Sequence, residues 1–180
     1  MAAKTTEATN CIDPQGFEHV CAAIQAGSSV LVLAELGTID DFPGLVAKRL
    51  AGAIEIATAT YKGSGKRFFV ALAGQLDIPT VEPRYDRNGE VVGDKPMTMD
   101  ALKDEILENV GPQTLLILPE AKRLTTGIRY WLEDAMATGV RLCCFAAANP
   151  LKDVFLNLLE IELKFLFVWD IRTVMQREAQ

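Results

Sequence analysis

Apolar positions along this chain cluster in short runs, unbroken at 30–33 and 115–118 and interrupted by single polar residues elsewhere, separated by stretches in which they recur at helical spacing. The runs lie at 30–33, 54–59, 115–118, 140–146 and 163–169. Each has the length of a strand buried on both faces of a parallel sheet. Phe17, Val20, Cys21 and Ile24 share one stripe, which predicts a helix opened by Asp13-Pro14 and running through Ala26. Pro43 sits in the first turn of a second helix, to about residue 51, with Leu45, Val46 and Leu50 facing inward. Phe68, Phe69, Leu72 and Leu76 mark a third helix over 67–76, and Asp100 caps a fourth that Gly111-Pro112 stops. Thr125 or Thr126 caps a fifth, ended by Gly139, and Asn149-Pro150 opens a sixth, over about 150–159. Strands and helices alternate throughout. The expected class is α/β: a three-layer parallel sheet of about five strands flanked by helices.

The interval 77–97 breaks this alternation. It is rich in proline, glycine and charge, and reads as a long exposed loop with a short hairpin around Asn88-Gly89. Residues 1–12 read as a flexible tail, and 13–180 as a single domain.

Composition narrows the function. The chain has 180 residues, 49% hydrophobic and 23% charged, in the range of folded globular proteins. A net charge of −6 argues against gripping nucleic acid over a broad basic face, though not against a small basic patch. The four cysteines have no C-x-x-C spacing, and Cys143 and Cys144 lie in an apolar run, as reduced core residues do. With one histidine, His19, no metal site is expected. No apolar run approaches the roughly 18 residues of a membrane span, and the N-terminus lacks a secretory signal's apolar core. The expected setting is therefore cytoplasmic, away from membranes.

The stretch 30–50 carries the clearest chemical signal. An apolar strand, a turn with one glycine (Gly37) and an amphipathic helix have the shape of a phosphate-binding P-loop. The working form needs G-x-x-x-x-G-K-[ST], whose backbone N–H groups cradle phosphate, whose lysine neutralises it and whose hydroxyl holds Mg²⁺. Here Ala34 and Ile39 replace the glycines, Asp40 the lysine and Asp41 the hydroxyl residue. Carboxylates at those places repel phosphate, and they also suit a helix start, where the dipole favours negative charge. A second candidate is Gly63-Ser64-Gly65-Lys66, after a strand and opening a helix, with Thr60 at the first glycine and Arg67 at the Ser/Thr position. Glycine-rich turns of this kind are common before helices, so the motif by itself is weak. Tyr61, Lys62, Lys66 and Arg67 also form the densest basic-aromatic cluster, a candidate contact for nucleic-acid backbone beside the plainer reading of a solvated loop.

The order strand, P-loop position, helix, strand, helix, LLILPEAKRL, helix, LCCFAAANP and final strand resembles the AAA+ ATPase core. Within that family it is nearest to transposition-helper ATPases of the TniB and TnsC kind and to origin-recognition-like ATPases. In the family, the strand ending hhhhDE supplies an Asp for the Mg²⁺ water shell and a Glu that polarises water. By resemblance Glu120 takes the catalytic Glu position, while Pro119 stands where the Asp belongs. Asn149 falls near the polar sensor position, and Arg123 and Arg129 on the side from which arginines reach a neighbour's nucleotide. The family's helical lid has no counterpart after the last strand. Losing the lysine, hydroxyl, Asp and lid together implies a pseudo-ATPase: an adaptor working through protein contacts or self-association, near DNA by the same resemblance, with no cofactor expected. The alternatives are an ATPase binding ATP and Mg²⁺ at Gly63-Ser64-Gly65-Lys66 with Glu120 as base, and a module contacting DNA backbone.

Overall fold

The computed structural model describes residues 14–34, 41–121, 124–147 and 167–170. In chain order the elements are α1 (Pro14–Gln25), β1 (Val30–Ala34), α2 (Phe42–Leu50), β2 (Glu55–Thr58), α3 (Gly65–Gln75), β3 (Val81–Tyr85), β4 (Val91–Pro96), α4 (Met99–Asn109), β5 (Thr114–Leu118), α5 (Thr126–Ala137), β6 (Arg141–Ala147) and β7 (Phe167–Asp170). Five of the strands form one sheet in the order β2-β5-β6-β1-β7, every neighbouring pair parallel. The expected α/β class holds.

Parallel strands need crossovers, and right-handed crossovers place their helices according to the direction of travel. The step from β1 out to the edge strand β2 carries α2, which packs with α1 on one face of the sheet against Val30, Val32, Leu115, Ile117, Cys143 and Phe145. The return steps through β5 to β6 carry α3, α4 and α5, which pack on the other face against Leu31, Leu33, Ala57, Leu116, Leu118, Leu142 and Cys144. Alternate residues of β1, β5 and β6 thus feed opposite cores, which is why these strands read as mainly apolar runs. Phe42 meets Phe145 edge-on at 5.4 Å on the first face, and Phe69 meets Trp131 at 5.0 Å on the second.

Local expectations differ in three places. Leu45 is 41% exposed; Phe42, Pro43, Val46 and Leu50 supply α2's buried side, because α2 begins with Phe42 facing the core. Thr98, not Asp100, caps α4, its hydroxyl accepting the Ala101 N–H at 3.2 Å. The interval 77–97 is an antiparallel ribbon rather than a loop: β3 and β4 pair Val81 with Pro96 through Tyr85 with Val91, around the turn at Asn88-Gly89. It is exposed, as expected, and Val81, Tyr85, Val91 and Val92 are each 46–62% exposed. The tail at 1–12 and the sixth helix at 150–159 lie outside the described residues.

Candidate functional site

Strand β1 lies between β6 and β7, where the chain order of the sheet reverses. In open α/β sheets ligands bind beyond the carboxyl ends of the strands at such a point. The connection leaving β1 there is the stretch expected from its residues to be a degenerate P-loop. Its residues Gly37 and Asp40 lie outside the described set, but its end is visible. Asp41 is exposed at the N-cap position of α2, and its side chain makes no capping hydrogen bond. The Asp41 carbonyl accepts the Leu45 N–H at 3.1 Å, starting the helix. Pro43 then removes one N–H from the first turn, the turn whose amides would point at a phosphate. A free carboxylate and a missing donor make this helix start a poor anion cradle.

Glu120 follows β5, and the register shows how it stands to β1. Leu118 pairs with Cys144 on β6, and Cys144 with Leu31 on β1. Pro119 and Glu120 therefore leave the sheet near the carboxyl end of β1, two strand spacings or about 10 Å to the side. Glu120 is exposed. Pro119 beside it offers no oxygen side chain for a metal. Groups of His, Cys, Asp and Glu that could hold a metal ion are absent among the described residues.

The Gly63-Ser64-Gly65-Lys66 turn is elsewhere. It follows β2, three strand spacings or about 14 Å from β1, at the margin of the sheet. Each small residue there has a local structural task or none. Gly63 has φ of +80°, a conformation that favours glycine. Ser64 caps α3, its hydroxyl accepting the Arg67 N–H at 3.4 Å and so occupying one amide that a phosphate would need. A Cβ on Gly65 would meet Met99 Sδ at an ordinary 3.6 Å, so packing does not demand glycine at that position. Lys62, Lys66 and Arg67 are exposed and Tyr61 packs partly on the core, so the basic cluster forms one solvent-facing patch around the start of α3.

Asn149 and Arg123 lie outside the described residues. Arg129 is half-buried on α5, and its Nη2 donates to Thr126 Oγ1 at 3.2 Å, one turn earlier. Burial pushes the thiols of Cys143 and Cys144 well above the ordinary cysteine range, and that of Cys21 upward, as befits core cysteines. Two features escaped sequence reasoning. One is the apolar surface of the β3–β4 ribbon. The other is Gln75, a polar residue at a helix end that binds the sheet; neither has a sequence motif.

The strand order defines an α/β fold with a parallel sheet flanked by helices. Solved structures of Orc1 and Cdc6 proteins share this fold. The Aeropyrum pernix ORC1 protein in complex with DNA matches with a TM-score of 0.61 at 11% identity, over 92% of this chain and 48% of that one. Cdc6p from Pyrobaculum aerophilum matches at 0.57 and 13%, over 87% and 43%. Drosophila ORC bound to AT-rich DNA and Cdc6 matches at 0.55 and 12%, over 87% and 52%. This chain spans about half the length of those three, and at such identities the likeness is one of fold. No protein-family model and no curated protein matches the sequence.

Proposed function

We propose that this chain is a degenerate AAA+-like adaptor that does not hydrolyse nucleotide and works through protein contacts. The observation that carries the proposal is the start of α2: an exposed carboxylate, Asp41, stands at the hydroxyl position and Pro43 deletes a donor behind it. Pro119 in place of a metal-holding acid agrees with this. The ribbon with Val81, Tyr85, Val91 and Val92 in solvent offers a surface for a protein partner. The setting is transposition, replication or another mobile-element process. Its support is resemblance, including neighbours whose structures were solved with DNA bound.

The test is thermal unfolding with and without millimolar Mg-ATP, Mg-ADP and Mg-GTP. A ligand at about 100 times its dissociation constant adds roughly 2.7 kcal/mol, a readily visible shift. The expected result is an unmoved midpoint with every nucleotide, and binding gained when Asp40→Lys and Asp41→Thr are introduced together. A shift in the unaltered protein that Lys66→Ala removes would overturn the proposal in favour of an ATPase using the β2–α3 turn, with Glu120 as base.

One observation favours a second reading, in which the chain contacts DNA backbone: Lys62, Lys66 and Arg67 are exposed together at the start of α3. Lys62→Ala with Lys66→Ala should then weaken a salt-sensitive, sequence-independent affinity and flatten its salt dependence. An affinity for duplex that these changes leave untouched removes that reading.

A further inference from the structure

Strand β2 ends the main sheet, and an unpaired edge is a template for another strand. Its inner side is satisfied by β5: Glu55 N–H donates to Gln113 O at 2.9 Å and Ala59 N–H to Ile117 O at 3.0 Å. Successive residues of a strand turn their backbone groups to opposite sides, so Thr58 presents its N–H and C=O outward, away from β5. Both are taken by one side chain. Gln75, the last residue of α3, accepts the Thr58 N–H through Oε1 at 2.6 Å and donates from Nε2 to Thr58 O at 2.6 Å. A primary amide offers the donor and acceptor of a peptide group, so Gln75 pairs with the edge as the next strand would.

The ribbon closes its own edges by different chemistry with the same effect. Met97 N–H donates to Thr80 O at 3.0 Å, which makes 80 and 97 a hydrogen-bonded pair. Alternation then places Pro83 opposite Asp94, and Pro96 opposite Val81, at positions whose backbone nitrogens face outward. Neither proline costs the ribbon a hydrogen bond, and each deletes a donor from an outer edge.

We propose that Gln75 is an edge guard, a side-chain substitute for a strand that keeps β2 from pairing with β2 of a second copy of this chain. Association then runs through the faces of the molecule rather than through its strand edges. The inference stands apart from the nucleotide question, since it rests on the sheet edge alone.

The test compares the unaltered protein with Gln75→Ala and Gln75→Lys, by amide hydrogen exchange at Thr58 and by light scattering across a concentration series. Gln75 is an exposed helix-end residue, so both variants keep the fold, which circular dichroism checks. Thr58 should exchange at least about fivefold faster in both at low concentration, the scale of one net hydrogen bond. Gln75→Ala should also self-associate at concentrations where the unaltered protein does not. Gln75→Lys should not, because a lysine charge on an edge opposes pairing. Unchanged exchange at Thr58, no added association of Gln75→Ala, or equal association of Gln75→Lys would each overturn the proposal.

Discussion

Phe145 shows what a single side chain contributes to this molecule. It is fully buried on the central strand β6, edge-on to Phe42, which in turn meets Phe17 at 5.6 Å. The three rings tie α1 and α2 to one face of the sheet. Truncation leaves a cavity between elements that approach from different parts of the chain and cannot collapse together. Phe145→Ala should therefore cost about 3–5 kcal/mol. That corresponds to a fall of roughly 6–20 °C in the unfolding midpoint of a domain this size. A fall of a degree or two would mean that these rings are not the packing centre of that face. Asp41 illustrates the opposite case, a residue whose meaning comes from its chemistry and not its packing. It is exposed and uncapping, so its replacement alone should be thermally quiet and should matter only to a ligand.

The ribbon is the element whose behaviour is hardest to infer from composition. Two strands by themselves are marginal in water, so the turn has to contribute. Asp86 does so: its Oδ1 accepts the Asn88 N–H at 2.8 Å and the Glu90 N–H at 2.9 Å, and Gly89 takes φ of +82°. These bonds, that from Glu90 first, hold the carboxyl below its ordinary value of 3.8. The ionised form is the bonded one, so its contribution is complete above the unfolded value and is lost as pH falls through the lower folded one. Acidification from about pH 5 to pH 2 should loosen the turn, seen as faster exchange and shifted resonances of the Asn88 and Glu90 amides. Asp86→Asn should abolish that pH dependence. Resonances that stay flat in the unaltered protein through the same range would remove Asp86 as the anchor.

At the scale of the whole molecule, the net charge of −6 and an incomplete phosphate loop set the expectations together. Both disfavour polyanions, and Lys62, Lys66 and Arg67, exposed around the start of α3, sit on the side of the sheet away from β1. Among the described residues no helix is long and apolar enough to cross a membrane.

Much of this was legible before folding. Strands buried on both faces are dominated by apolar residues, so β1, β5 and β6 announced themselves; the run at 54–59 marked β2, helical stripes marked α1 to α3, and cap and stop residues marked α4 and α5. The departures from the P-loop pattern were equally plain, because that pattern requires particular residue types at particular spacing, and Asp40 and Asp41 are not those types. The ribbon was half legible: Asn88-Gly89 marked its turn, but strands exposed on both faces carry no burial pattern, so β3 and β4 looked like loop. Sheet order, and with it the distance between the two glycine turns, depends on which crossover passes over which face, and no local pattern records that. Gln75 was invisible for the same reason. A glutamine at a helix end is unremarkable in sequence; it becomes an edge guard only when the fold brings it against Thr58. The sequence by itself determined the α/β class and the elements of the main sheet and its helices, since these follow from local periodicity and residue type. Only the tertiary structure decided which groups meet, since pairing between distant segments is set by packing of the whole chain.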